Sequence, residues 1–239
     1  MNYNDIMVEG FKELEIELSK DKANKFEIYK KLIQEWNEKI NLTAITEDNE
    51  MAIKHFIDSA SCFKSEKLSG EISMIDVGTG AGFPGIPLKI LNENIKLTLL
   101  DSLNKRINFL QNVAASLELD DIEFCHGRAE DFGQDPNYRE CFDVCVSRAV
   151  ANLAVLTEYC LPFIKIGGYF IAQKGPKKNE ELQEAAKAIE VLGGEIESVL
   201  EVKIPFSDIT HSIVLIRKVS ETPKQYPRKA GKPTKKPIR

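Results

Sequence analysis

No apolar run in the sequence approaches the roughly 18 residues that a membrane-spanning helix needs, so a membrane role is not expected. A secretion signal is not expected either. Met1 to Lys20 is acidic and amphipathic, with no basic region followed by an apolar core and a cleavage site. Cysteine is sparse: Cys62, Cys125, Cys141, Cys145 and Cys160 are odd in number, and no two form a C-x-x-C pair. That pattern argues against a disulfide framework and against a zinc site, so no metal is expected. Most of these cysteines sit among apolar neighbours and read as buried small hydrophobes in a reducing cytosol, which places the protein in the cytoplasm. What is present is ordinary: 43% hydrophobic and 29% charged residues in a chain of 239. This suits one α/β domain with an appendage, or two small domains.

A net charge of −5 taken alone argues against a nucleic-acid partner, but its distribution reverses that reading. Nine of the 32 Lys and Arg, but only one of the 37 acidic residues (Glu221), lie between Arg217 and Arg239, so that segment carries +8 and the remainder −13. A basic tail on an acidic body points to a polyanionic partner.

The first sixty-odd residues have helical spacing. Phe26, Tyr29, Leu32, Ile33, Trp36 and Ile40 mark one apolar face, ending at Asn41-Leu42-Thr43, and Ile53, Phe56, Ile57, Ala60 and Phe63 mark a second. From Ile72 the texture changes to short apolar runs at 72–77, 95–101, 122–126, 141–147 and 168–173. Helix-length segments lie between them, notably Asn104 to Leu117, Asn152 to Ile164 and Asn179 to Leu192. Continuous apolar strands separated by helices predict a parallel sheet covered on both faces. Two closely connected runs, 195–204 and 211–219, predict an antiparallel pair closing that sheet. The organisation expected is a helical N-terminal extension (1–70), an α/β domain (71–219) and a basic tail (220–239). The tail has few apolar residues and is expected to add little to a core. The competing possibility is that Tyr226 or Pro227 packs back over a ligand cleft.

The strongest local signal is MIDVGTGAGFPGIPL, residues 74–88. A strand carrying Asp76 is followed by alternating Gly78, Gly80 and Gly82, and a helix starts near Pro84. Glycines let the backbone turn tightly and approach a ligand, and the next helix offers free N–H groups. The dinucleotide fingerprint G-x-G-x-x-G would need a glycine where this chain has Phe83. The spacing G-x-G-x-G behind an acid instead resembles motif I of class I methyltransferases, in which the loop approaches the methionine and ribose parts of S-adenosylmethionine. Asp101 ends the second strand, where an acid can accept from a ribose diol. His126 to Asp131, after the third strand, resembles the acidic adenine-binding turn of those enzymes. Either acid alone could be a helix cap or a solvated loop charge.

A narrower resemblance covers essentially the whole chain. WNEKINLTAI (36–45), HFIDS (55–59), DVGTGAGFPGIPL (76–88), RAED (128–131), SRAVA (147–151), QKG (173–175) and YPRKAGKPTKKPI (226–238) are similar to the bacterial glucose-inhibited division protein B (RsmG) family. Members of that family methylate guanine N7 of small-subunit (16S) ribosomal RNA. The resemblance implies a Rossmann-like class I methyltransferase fold, with a seven-stranded, mostly parallel sheet and an N-terminal helical extension. It implies S-adenosylmethionine as cofactor, and 16S ribosomal RNA or the small ribosomal subunit as partner of a monomer. It further implies cofactor contacts from Gly78, Gly80, Phe83, Ala129, Glu130 and Arg148, with Asp101 and Ser102 near the ribose. Asn41, His55, Asp58, Lys174, Arg228 and Lys229 would lie on the RNA side, with Arg148 the best candidate for a role in the transfer. Each has a plainer alternative: Asn41 as a helix cap, His55 and Asp58 as a local pair, Lys174 as a solvated strand end.

Guanine N7 carries a free lone pair and its methylation removes no proton, so no general base is required and positioning dominates. No N-P-P-Y motif for an exocyclic amine and no Pro-Cys pair for cytosine C5 chemistry occurs; Cys145 lies in an apolar strand, where a thiol is inert. The alternatives are a methyltransferase of another RNA or a small molecule, a nicotinamide-dependent oxidoreductase, and a non-catalytic RNA-binding protein. A small-molecule enzyme would not need the basic tail, and a non-catalytic protein would not need the cofactor site.

Overall fold

The structure, a computed structural model, describes residues 1–148, 151–175 and 178–239. Ala149 and Val150 of the SRAVA string lie outside the described residues.

Two helices open the chain. Helix α1 (Tyr3–Glu13) starts at a capping box between Asn2 and Asp5. Helix α2 (Lys20–Ile40) starts where Ser19 accepts from the Lys22 N–H and stops at Asn41, which turns left-handed (φ 50°). Phe26, Tyr29 and Ile33, one helical face, are fully buried. A single winding of changing pitch follows: α3 (Asp48–Met51), a π-helical turn (Ala52–Ile57), α4 (Asp58–Ala60) and a 3₁₀ turn (Ser61–Ser65). π-Turns re-aim side chains and recur at functional sites; this one carries His55.

The α/β part alternates β1 (Ile72–Val77), α5 (Gly85–Leu91), β2 (Ile95–Asp101), α6 (Asn104–Ser116), β3 (Ile122–His126), α7 (Ala129–Phe132), β4 (Phe142–Arg148), α8 (Leu153–Cys160), β5 (Ile164–Lys174), α9 (Lys178–Val191), β6 (Gly194–Lys203) and β7 (Thr210–Lys218). Among the described residues these strands form one sheet in the order β3-β2-β1-β4-β5-β7-β6, with β7 antiparallel to both its neighbours and the other pairings parallel. The first three strands fall where the apolar runs predicted them. Strand β5 starts at Ile164, four residues before its predicted start, because exposed Ile166 and the pair Gly167-Gly168 interrupt the apolar pattern.

Alternate residues of each strand enter two apolar layers. Met74, Leu97, Val146, Ile171 and Leu215 pack with α1, α2, α5 and α6, while Ile75, Leu100, Cys145, Phe170 and Ile216 pack with α8 and α9. The N-terminal helices are not a separate lobe. Helix α2 lies on α5 and α6, and the turn at 61–65 reaches β5, β6 and β7, where among the described residues no crossover helix covers that face. The chain order reverses between β1 and β4, and ligands of open α/β sheets lie at the carboxyl ends of strands beside such a point.

The tail differs from the expected appendage. Arg139 donates to the carbonyls of Gly133, Thr222 and Tyr226, and Gln134 to those of Lys224 and Pro227. Buried Lys218 donates to Leu161 and Thr222, and Arg228 pairs with fully buried Glu158. The segment ends in a short helix, α10 (Lys232–Lys235). Its low apolar content misled the prediction because polar side chains satisfying its backbone hold it down, together with buried Pro227 and Pro233 and with Tyr226 and Ile238 packed on the α8–α9 layer.

Candidate active site

The glycine loop is stapled from both sides. Asp76 is fully buried; its Oδ2 accepts from the Thr79 hydroxyl and the Gly85 N–H, each at 2.8 Å. Its Oδ1 has no partner among the described residues, and burial pushes the carboxyl up to about 7. From the opposite side Tyr29 of α2 donates to the Ala81 carbonyl at 2.5 Å. Gly82 (φ +99°) lies against this phenol: a Cβ there would meet Tyr29 Oη at 2.5 Å, so no larger residue fits. Gly80 (φ +61°) is the reverse, with nothing within 4 Å of where a Cβ would stand. Its backbone faces an open cleft of about 550 Å³ at the carboxyl ends of β1, β2, β3 and β4.

At the far end of this cleft, Asp101 accepts from the N–H groups of Gly80 and Leu103, both at 2.9 Å, and from Arg106 at 3.3 Å. The carboxylate expected to face a ribose therefore also ties β2 to the glycine loop. Exposed Ser102, half-buried Ala129 and buried Glu130 line the same end, and Glu130 accepts from the Gly231 N–H at 3.0 Å. Gly231 and Thr234 of the tail, with Tyr159 of α8, complete the wall, and Tyr159 and Thr234 are hydrogen-bonded at 3.0 Å.

At the near end, four side chains meet. The His55 ring stacks on Phe83 at 4.4 Å, and the Arg148 guanidinium lies 4.8 Å from the same ring's centre. Arg148 Nη1 donates to Asp58 Oδ2 at 2.8 Å, and Nη2 lies 3.3 Å from His55 Nδ1. The other His55 nitrogen is 2.8 Å from Thr43 Oγ1. Burial, and then the Arg148 charge, push His55 down to about 4, so the imidazole is neutral at neutral pH. Nδ1 also lies 3.1 Å from the Lys54 carbonyl, so a proton assigned there donates to that carbonyl and leaves Nε2 to accept from the Thr43 hydroxyl. Asp58 is buried, and its second oxygen accepts from His211 Nδ1 at 2.5 Å. Behind Arg148 lies a second cavity of about 330 Å³ lined by Lys54, His55, Asp58, Arg148, Gln173, Lys174 and His211, among others. His55 and Arg148 line both spaces.

The expected cofactor residues Gly78, Gly80, Phe83, Asp101, Ser102, Ala129, Glu130 and Arg148 thus come together around one cleft. On the expected RNA side, His55, Asp58 and Lys174 share the second cavity, and His55 and Asp58 meet through Arg148 and not as a local pair. Lys174 is not a solvated strand end; it is buried, 2.6 Å from Glu181 and donating to the Ala151 carbonyl. Asn41 caps α2 and is exposed, while its neighbours Leu42 and Thr43 line the cleft. Arg228 is not offered to solvent: its guanidinium and its N–H both engage Glu158. Lys229 is exposed. The sequence reading missed Thr43, Tyr159, Thr234 and His211. Thr43 and Thr234 lie within the strings WNEKINLTAI and YPRKAGKPTKKPI, and His211 is a polar residue opening an apolar strand; Tyr159 carried no signal.

A strand order of 3-2-1-4-5-7-6 with one reversed strand, and a glycine loop after β1 facing a cleft, defines a class I methyltransferase. Solved structures of that class share the fold. A SAM dependent methyltransferase from Aquifex aeolicus aligns with a TM-score of 0.53 at 20% identity, covering 71% of this chain and 94% of its own. TYW2 of M. jannaschii in complex with AdoMet aligns with a TM-score of 0.53 at 14% identity, covering 68% and 76%. Residues 22–211 match the family described as rRNA small subunit methyltransferase G. The proteins named ribosomal RNA small subunit methyltransferase G of Alkaliphilus oremlandii (strain OhILAs) and Clostridium botulinum (strain Eklund 17B / Type B) are 58% and 54% identical to this chain, over 100% of both chains in each case. The chain belongs to this family.

Proposed function

We propose that the chain transfers a methyl group from S-adenosylmethionine to N7 of a guanine in 16S ribosomal RNA. The observation that carries this reading is the meeting of two cavities at one wall, where His55 and Arg148 line both. A donor on one side and an acceptor on the other would face each other there.

The cleft fits S-adenosylmethionine. The Gly78 and Gly80 backbone leaves room for close approach, Asp101 and Ser102 suit hydroxyl groups, and Ala129 and Glu130 suit a flat nitrogenous ring with an amino group. When bound, the cofactor supplies an electrophilic methyl group on a sulfonium.

The chain's own residues position and do not deprotonate. His55 is neutral, with Thr43 on one nitrogen and the Lys54 carbonyl on the other, and Asp58 is occupied by Arg148 and His211. No free base therefore stands at the shared wall among the described residues. That suits an acceptor which brings its own lone pair and loses no proton, as guanine N7 does. His55, Asp58 and Lys174 would face the base, with exposed Asn41 outside both cavities. Exposed Lys229, Lys232, Lys235 and Lys236, with Arg128 at the cleft, supply cations for RNA phosphates. The proposed setting is the cytoplasm, with the chain acting as a monomer on the small ribosomal subunit.

The test is transfer of label from S-adenosylmethionine to small ribosomal subunits from a strain lacking the enzyme, followed by mapping of the labelled nucleotide. Label on an exocyclic amine, or none on the subunit, would overturn the proposal.

A further inference from the structure

His211 belongs neither to the glycine loop nor to the tail, yet it stands at the second cavity. Its Nδ1 donates to buried Asp58, which fixes both the ring's orientation and the position of its proton. Its Nε2 has no partner among the described residues, although the side chain is only 25% exposed. Gln173 lines the same cavity from β5. Its amide nitrogen donates to the Asp58 carbonyl at 2.7 Å and to Ser61 Oγ at 3.2 Å, which settles the amide's orientation. Its Oε1 is then left buried without a partner. An unpaired buried acceptor such as Gln173 Oε1 costs about 1–3 kcal/mol, and at the same cavity the partly exposed His211 Nε2 offers a second free acceptor.

We infer that His211 Nε2 and Gln173 Oε1 are the pair of acceptors that read the Watson–Crick edge of the target guanine. The inference rests on the proposed reaction at guanine N7 and names how the base is chosen. With its proton on Nδ1, the imidazole offers only a lone pair at Nε2. Guanine presents two kinds of donor on that edge, N1–H and the exocyclic N2–H₂, and N7 lies on the other side of the ring system. A base with its Watson–Crick edge in the second cavity turns N7 towards the wall that the cavity shares with the cleft. Adenine would set its N1 lone pair against an acceptor and leave the site unpaired, the situation in which polar sites discriminate most strongly.

The test uses small subunits reconstituted with guanosine or inosine at the mapped nucleotide; inosine keeps N7 and N1–H but lacks the N2 amine. Wild-type protein should lose about tenfold in kcat/KM on inosine, the effect of one buried hydrogen bond. His211→Ala and Gln173→Met should each lose about tenfold on guanosine, with S-adenosylmethionine affinity unchanged in calorimetry. The variant lacking the amine's acceptor should show no further loss on inosine. Equal further losses in both variants, or wild-type rates on guanosine in both, overturn the inference. A wild-type chain that leaves unmodified subunits unmethylated overturns the proposed reaction itself, and the inference with it.

Discussion

The Arg148 guanidinium rests 4.8 Å from the centre of the Phe83 ring while donating at 2.8 Å to Asp58, so one side chain covers the glycine loop and walls off the second cavity. Arg148→Ala removes a positioning group and also strands a buried carboxylate. Breaking a buried pair in this way costs about 3–5 kcal/mol. Urea unfolding should show that loss, and Asp58→Asn in the same chain should recover part of it. Folded Arg148→Ala should still transfer methyl groups at least about tenfold more slowly with saturating substrates, roughly 1.4 kcal/mol of transition-state stabilisation. Unchanged turnover would leave Arg148 a purely structural residue.

Gly80→Val places a branched side chain in open cleft at a positive φ. The strain costs about 1–3 kcal/mol, which a folded protein of this size can survive. S-Adenosylmethionine binding, read by calorimetry, should fall at least about tenfold, by occlusion of the space the backbone leaves free. Binding within twofold of wild type would move the cofactor away from this loop.

A chain ending at Ser220 loses the arginine that neutralises buried Glu158, the hydroxyl beside buried Lys218, and two residues of the cleft wall. An uncompensated buried carboxylate alone costs about 3 kcal/mol or more. Truncation should therefore lower the melting temperature and weaken cofactor binding, and also flatten the salt dependence of RNA affinity as exposed lysines are lost. Thermal melts, calorimetry and transfer at several salt concentrations separate the three effects. An unchanged melting temperature contradicts the docked tail, and parallel salt slopes remove its cations from RNA binding.

His55 sets a pH signature on stability. Burial lowers it from 6.5 to about 4, so as pH falls through 6.5 the unfolded chain takes up a proton that the folded chain refuses until about 4. Stability is lost across that window, by roughly 3 kcal/mol. Asp76 runs the opposite way: raised from 3.8 to about 7, its contribution is fully present below 3.8 and is lost as pH rises to about 7. Between pH 7 and pH 4.5 the two effects oppose one another in the wild type, so His55→Gln, left with the Asp76 effect, should gain stability on acidification relative to the wild type. In Asp76→Asn the same comparison should show a larger loss on acidification. A His55→Gln protein with the wild-type pH slope would mean that the imidazole titrates freely.

Much of this was legible in the chain itself. The runs at 72–77, 95–101 and 122–126 coincide with β1, β2 and β3, since strands buried on both faces need continuous apolar residues whatever their partners. The glycine loop was equally plain: only glycine suits Gly80 and Gly82, and that constraint acts within a few residues. Other features depended on which distant surfaces meet. Asp58 and His211 are 153 positions apart, and their contact exists only because β7 inserts between β5 and β6 and brings its first residues to the π-turn's end of the sheet. Sequence spacing and composition determined the sheet, the loop and the charge of the tail. Tertiary structure alone decided that the tail is docked by Arg139, Gln134 and Glu158, and that His211 and Gln173 stand at one cavity, because hydrogen bonds between remote polar groups leave no periodic trace in a sequence.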